Sequence, residues 1–479
     1  MADGGVVVKI LSNVRGAKAP CCSTSVPNRK SPGIGISLTT PLESVQNLQK
    51  TLQAKAKGNA TTRFHSLWDK VCRPDVLVEA YRRCRLNRGA PGVDGESFAT
   101  IEQQGLGQWL RRLKQELSTK KQYRCSPLLR VWIPKANGGQ RPLSIPTIKD
   151  RVVQTAVLLV INPVFDTDLS PRQYGFRSHI DAKMAIRRVY FSISERFARE
   201  VVDADLSDYF STIPHGQLMK CIARRITDGS VLGIIRQWLR APVVERTRQG
   251  VEIRTTVARN THRGTAQGSP ISPLLGNLYF RRFILAWNSG TPFWEKNSEI
   301  VNYADDLVIL CKRGTGEQAM IRMKCLMERL GLTVNESKTR LVVLPEENFD
   351  FLGYTIGRFY GKGGRPYWGT SISRKAIKRL KQEIHAQTTS RWNCTPVVER
   401  AERLNPLLKG WASYFSQGPV LQIYRDIDNY TARRVRVWLQ RRKGQRGTGY
   451  RQYPDQYLYK QLGLIRLMDL PRNRPNAKV

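Results

Sequence analysis

The sequence predicts an α+β fold that passes into a nearly all-helical C-terminal section. Three observations predict it. Short apolar runs of strand length (Leu129–Pro134, Arg141–Ile145, Arg199–Leu206, Ile300–Tyr303 and Leu307–Leu310) are interleaved with stretches of helical period. Beyond about residue 371 those runs stop, and apolar residues recur on single helical faces: Ile377, Leu380 and Ile384, then Val420, Ile423, Ile427 and Tyr430. A length of 479 residues suits about three domains.

The elements follow in order. Residues 1–60 are rich in Gly, Ser, Thr, Pro and Lys and read as a flexible basic leader. No basic region precedes the apolar run in Met1–Lys9, so it makes a poor signal peptide. Phe64, Leu67 and Val71 open the ordered pattern at helical spacing. Asn87-Arg88-Gly89-Ala90-Pro91-Gly92-Val93-Asp94-Gly95 is a loop of chain breakers. Leu106–Leu117 has the pattern of an amphipathic helix. Leu129–Pro134 and Arg141–Ile145 read as strands joined at the turn Asn137-Gly138-Gly139, and Asp150–Pro163 returns to helix. Arg199–Leu206 is a strand. The runs on either side of Ala304-Asp305-Asp306 form a tight hairpin.

Charge narrows the function. The chain has 79 Lys and Arg against 38 Asp and Glu, a formal net charge of +41. Such a chain repels itself unless a polyanion neutralises it, so a large RNA or DNA is the expected partner. From Arg425 to Val479 there are 14 Lys and Arg against 4 Asp and Glu. No apolar stretch reaches the roughly 18 residues that a membrane helix needs. The 9 Cys are scattered with no C-x-x-C pair, which argues against a zinc site and for reduced thiols in the cytosol.

In so basic a chain, clustered carboxylates need a reason. In Val201-Val202-Asp203-Ala204-Asp205-Leu206, strand alternation puts Asp203 and Asp205 on one face and Val202, Ala204 and Leu206 on the other. Tyr303-Ala304-Asp305-Asp306 stands at the hairpin tip. Adjacent carboxylates repel unless a cation sits between them, and Mg²⁺ suits hard oxygen ligands and phosphate. Two such ions about 3.5–4 Å apart can activate a 3′-hydroxyl and steady a leaving pyrophosphate. A lone D-x-D is also explained by salt bridges to the many Arg side chains; the hairpin-borne Y-A-D-D is the sharper signal.

The Tyr303–Asp306 box resembles the reverse transcriptase palm. The order of the surrounding motifs is similar to that of bacterial group II intron reverse transcriptase/maturases, over roughly residues 64–475. Gly89–Gly95 resembles the family's N-terminal extension. Ile133-Pro134-Lys135 with Gly138-Gly139-Gln140-Arg141-Pro142-Leu143 resembles its fingers hairpin, which implies that Lys135 and Arg141 grip the incoming triphosphate. Gln173-Tyr174-Gly175-Phe176-Arg177 follows, with Gln where the family usually has Ser. The D-x-D strand resembles the first catalytic motif, which implies that Asp205 is a metal ligand and Asp203 a supporting charge. Tyr209 falls where the family usually has Phe, an aromatic that packs on the sugar and excludes a 2′-hydroxyl. Gly264 to Asn277 resembles the next motif, with Ala266 at a common Pro position, and implies that Gln267 contacts the nucleotide or template. Gly331–Thr339 resembles the following one and implies that Lys338 protonates or neutralises the leaving pyrophosphate. Phe351-Leu352-Gly353-Tyr354 resembles the primer grip. Leu404 to Phe415 resembles the maturase-specific thumb, domain X, with Leu407, Leu408, Trp411 and Phe415 as its core and Lys409 facing RNA.

The resemblance implies a right-hand polymerase. It has an N-terminal extension and start of fingers over 61–125, fingers and palm over 126–365, and a helical thumb with a basic tail over 366–479. It implies RNA-directed DNA synthesis with Asp205, Asp305 and Asp306 at a two-ion Mg²⁺ site, which Mn²⁺ can also fill. The implied substrates are an RNA template, a DNA primer, deoxynucleoside triphosphates and target DNA. It also implies maturase binding of the group II intron RNA, in the bacterial cytosol and with no membrane. The chain ends soon after the thumb with no Cys beyond Cys394, as expected of a member lacking the endonuclease. The alternatives are a domesticated reverse transcriptase serving defence or repair, and a non-catalytic RNA-binding splicing factor.

Overall fold

The computed structural model describes residues 42–119, 123–134, 139–196, 198–246, 252–289, 292–361 and 363–470. Eleven strands lie among them: β1 (Leu128–Pro134), β2 (Gln140–Ile145), β3 (Glu200–Asp205), β4 (Val243–Arg246), β5 (Glu252–Thr255), β6 (Ser298–Tyr303), β7 (Asp306–Cys311), β8 (Arg340–Val343), β9 (Phe349–Phe351), β10 (Tyr354–Tyr360) and β11 (Pro366–Ile372). They make a four-stranded sheet β2-β1-β4-β5, a second four-stranded sheet β6-β7-β3-β8 and a three-stranded sheet β11-β10-β9. The mixed α/β character with a helical C-terminal region agrees with the expectation.

The β6-β7-β3-β8 sheet positions the acidic residues, and both of its faces are covered. Val202, Ala204, Ile300, Leu307 and Ile309 join one apolar core. Their alternating neighbours Val201, Val301, Val308, Leu310 and Val342 join a second. Two-sided burial is why these strands read as nearly continuous apolar runs. The first core is built on the Ile148–Asp166 helix, most of whose residues are buried. The second belongs to the C-terminal helices Arg374–Ala386, Val397–Tyr414 and Leu421–Arg442.

In that helical region Leu404 and Leu408 are fully buried, Phe415 is buried, and Leu407 and Trp411 pack partly buried against the same core, while Lys409 is exposed. Two tyrosines fasten it to the sheet region. Tyr354 Oη donates to the Tyr414 carbonyl at 2.8 Å, and Tyr414 Oη donates to the Leu352 carbonyl at 2.9 Å.

Three differences from the sequence reading stand out. Residues 43–58, read as part of a flexible leader, form the helix Glu43–Gly58 and bury Val45, Leu52 and Ala56. Its polar composition hides an apolar stripe that becomes a helix by packing rather than by intrinsic propensity. Gln49 donates to the Leu159 carbonyl at 2.9 Å, and Arg225 donates to the carbonyls of Ala56 and Asn59 at 2.8 and 3.1 Å. Pro366–Ile372, grouped with the helical thumb, is β11 paired along β10. Finally, β4 and β5 join the β1-β2 hairpin, with β4 parallel to β1.

Candidate active site

β3 and β7 run antiparallel, and their register sets Asp205 directly opposite Asp306. Asp203 lies opposite Val308 on the same face. β6 and β7 are joined through Ala304 and Asp305, with Tyr303 opposite Asp306. The residues at 205 and 305–306 are therefore brought together at one end of one sheet, although about a hundred positions separate them. Val202, Ala204 and Leu206 are buried in the first core and leave the acidic face of β3 to the other side.

Basic and polar side chains from three segments converge on these carboxylates. Lys338 Nζ is 3.1 Å from Asp205 Oδ2, and Asn335 Nδ2 donates to the same oxygen at 3.0 Å. Backbone bonds fix that segment beside β3: the Asn335 N–H donates to the Asp205 carbonyl at 2.8 Å, and the Ser207 N–H to the Thr333 carbonyl at 2.9 Å. Arg141, from β2, reaches within 3.8 Å of Asp305 Oδ2. Arg340 sits 3.6 Å from Asp203. All of these pairs are partly or largely exposed, so they hold only loosely and can be exchanged for other partners.

The electrostatics mark the site. Although water reaches Asp306, the protein around its carboxyl disfavours the charge. Asp305, Asp205 and Asp203 add repulsion, which only Arg141 opposes, and Asp306 is pushed up to about 7. Burial also raises Asp203, against the pull of Arg340. Among the described residues no three His, Cys, Asp or Glu side chains are gathered closely enough to cage a metal. The donor set nonetheless fits a hard cation. It offers oxygen ligands only, from facing strands, with a mutual repulsion that a cation relieves.

The other expected site residues fall in different places. Gln267 is part of a loop docked on the β1–β2 hairpin: its carbonyl accepts the Ser144 N–H at 2.7 Å. Gly268, at φ +108°, approaches so closely that a Cβ would lie 2.8 Å from the Ser144 carbonyl oxygen. Ser269 Oγ donates to buried Gln154 beneath it. Lys135 lies outside the described residues.

Tyr209 is enclosed. It is 3% exposed, packed edge-on against Phe280, and its hydroxyl donates to the Gly276 carbonyl at 2.6 Å. A ring so enclosed has no surface to offer a sugar. Its neighbour Phe210 is half-buried and keeps an open side. Left-handed Asp208, at φ 44°, and the short Tyr209–Thr212 helix turn one aromatic inward and the other toward the surface. Two adjacent aromatics carried no signal of which would be buried.

The site also contains residues that motif reading passed over. Ala304 takes a left-handed φ of 59°, which costs an L-residue about 1–2 kcal/mol. Asn302, one residue before the acidic box, is fully buried beside this turn. The Gln173 segment forms a parallel bridge with Asn302 and lies along the hairpin.

The chain is similar to known proteins along most of its length. Residues 133–356 match the family model described as reverse transcriptase (RNA-dependent DNA polymerase), and residues 377–454 match the group II intron, maturase-specific domain. Every site residue named above lies inside the first match. Protein YkfC of Escherichia coli is 31% identical over 377 residues, covering 71% of this chain and 96% of its own length. The putative COX1/OXI3 intron 1 protein of Saccharomyces cerevisiae is 27% identical over 333 residues, covering 59% of this chain and 38% of its own. Group II intron-encoded protein LtrA of Lactococcus lactis is 26% identical over 242 residues, covering 49% and 37%. The chain thus spans nearly all of the first relative and well under half of the two intron proteins. With a reverse transcriptase match over residues 133–356 and a maturase-specific match over residues 377–454, the chain belongs to the reverse transcriptase/maturase family of group II introns.

Proposed function

We propose that this protein copies group II intron RNA into DNA and, as a maturase, binds the same RNA to assist its splicing. The observation that carries the reading is the pairing of Asp205 with Asp306 across adjacent strands, with Asp305 at the turn between β6 and β7. Mg²⁺, when bound, lowers the barrier to 3′-hydroxyl attack and offsets charge on the leaving pyrophosphate. Asp205 and Asp305 hold it, and Asp306 adds charge beside them. Arg141 exchanges its contact with Asp305 for the triphosphate oxygens, and Lys135 of the same hairpin joins it. Lys338 leaves Asp205 to neutralise or protonate the pyrophosphate. Phe210, rather than Tyr209, packs against the sugar, and Gln267 contacts the nucleotide or template. In splicing the RNA does the chemistry. The protein contributes shape and charge through the thumb helices, whose basic residues include exposed Lys409.

On this reading the protein works beside nucleic acid in the bacterial cytosol, with target DNA as a further partner. The test is primer extension on an RNA template, run together with binding of intron RNA. The doubly substituted Asp305→Asn, Asp306→Asn protein should lose extension and keep RNA binding. Persistent extension would overturn the metal assignment.

A further inference from the structure

We infer that Asn302 is the positioning residue for the catalytic turn. Its neutral amide clasps the backbone on both sides of Asp305, and buried amides at 173 and 277 tie that turn to the helix that opens beside Gln267. The inference rests on the polymerase reading of the site.

The geometry is specific. Asn302 is 0% exposed. Its Nδ2 donates to the Ala304 carbonyl at 2.8 Å and to the Asp306 carbonyl at 3.2 Å, spanning Asp305. The reverse amide orientation would set its oxygen against two carbonyl oxygens, so the donor assignment is fixed by the network. The Asn302 backbone is held as well: its N–H donates to the Arg172 carbonyl at 3.0 Å, and its carbonyl accepts the Tyr174 N–H at 2.9 Å.

The turn needs such a clasp. Ala304 sits at φ 59°, a conformation that a residue with a Cβ adopts only when its surroundings impose it. Gly175 presses on the turn from the neighbouring segment, where a Cβ would overlap the Ala304 amide nitrogen. That segment is held in turn by two further amides. Gln173 Nε2 donates to the Asn277 carbonyl at 2.9 Å, and Asn277 Nδ2 donates to the Gly175 carbonyl at 2.7 Å. Gln173 is 0% exposed and Asn277 4%. Asn277 lies on the Ser272–Asn288 helix that follows the Gln267 loop. Nucleotide-side helix and metal-side turn are thus joined through buried neutral donors.

Neutrality matters here. A buried Lys or Arg at this position would pair with the nearby carboxylates and compete with a bound cation. An amide supplies two donors and no charge, so it shapes the turn and leaves the carboxylates free for metal.

The test uses the full-length protein with Asn302→Ala and with Asn302→Asp, which keeps the shape but loses the donors. In single-nucleotide incorporation on an RNA template, both should lower kcat by about 10- to 100-fold. The KM for the nucleotide and the Kd for template–primer should stay near those of the parent. Ala304→Gly added to Asn302→Ala should recover part of the lost rate, because Gly takes the left-handed conformation without the clasp. Independently of activity, amide hydrogen exchange at Asp305 and Asp306 in the metal-free protein should be about tenfold faster in Asn302→Ala. A kcat within twofold of the parent, or unchanged exchange at the turn, overturns the inference. So does a fall in kcat matched by equal losses in Tm and template–primer binding with no rescue by the added Ala304→Gly, because that pattern marks a packing residue. A parent protein with no extension at all would count against the polymerase reading instead, and the exchange experiment would still decide the role of Asn302.

Discussion

β3 carries carboxylates at both ends, and the two ends are treated oppositely. At one end Glu200 lies opposite Cys311 and is 8% exposed. Its two oxygens accept the N–H groups of Gly314 and Gly316 at 2.7 and 2.6 Å, and the charge is fully served by backbone. At the other end Asp205 faces Asp306 and is approached by side chains: exposed Lys338, half-buried Asn335 and, across the turn, exposed Arg141 near Asp305. On the proposed function, the difference separates a carboxylate that completes the fold from carboxylates kept ready for a ligand. Fixed backbone donors leave nothing further to bind, whereas mobile cations and mutual repulsion leave a place for a metal and a triphosphate.

Substitutions at the two ends should tell the two kinds of carboxylate apart. The largest effect is expected at the functional end. Asp205→Asn should cut single-nucleotide incorporation by about 10³-fold or more without lowering Tm, as read by pre-steady-state kinetics and thermal unfolding. Lys338→Met should lower kcat by about 10²-fold in the same incorporation assay. Arg141→Ala should act mainly on the nucleotide, raising its KM by about tenfold. The structural end should behave in reverse. Glu200→Gln should cost about 1–3 kcal/mol of stability, seen in chemical denaturation, with kcat of the folded protein unchanged.

The smallest effect concerns pH. Asp306 in the folded protein, at about 7, stands above its ordinary 3.8. For a raised carboxyl the associated stability is present below the unfolded value and is lost as pH rises through the folded one. Asp306→Asn should therefore raise the Tm of the metal-free protein at pH 8 by about 1–3 °C, a modest figure because the group is water-accessible. The gain should vanish as pH falls to about 4. Saturating Mg²⁺ should stabilise the parent more than the variant.

Much of this was legible in the sequence because it depends on short-range pattern. The alternation in β3 separated Asp203 and Asp205 from Val202, Ala204 and Leu206, and the apolar runs around Ala304–Asp306 gave the hairpin. Of the four core residues that the resemblance implied, Leu408 and Phe415 are buried and Leu407 and Trp411 pack partly buried against the same core, where Leu404 joins them. What stayed hidden depends on contacts between distant segments. Burial of Tyr209 and not Phe210 is decided by Phe280 and Gly276, about seventy residues away. The clasp by Asn302 needs the Gln173 segment beside it, and nothing in the local string distinguishes that Asn from a surface one. The helix at 43–58 is stabilised by Leu159 and Arg225, which no local window contains. Strands β4 and β5 are four residues each, and pairing with β1 places them in a sheet.

The central claim is that carboxylates at 205 and 305 share divalent ions beside the primer end. Fe²⁺ in place of Mg²⁺, with template–primer and nucleotide bound and hydrogen peroxide and ascorbate added, reduces the peroxide to hydroxyl radicals at the metal, and these cut the chain nearby. The account predicts paired cleavage within a few residues of Asp205 and of Asp305, lost from both segments together in Asp305→Asn. Cleavage at only one of the two, or at neither while extension proceeds, would contradict it.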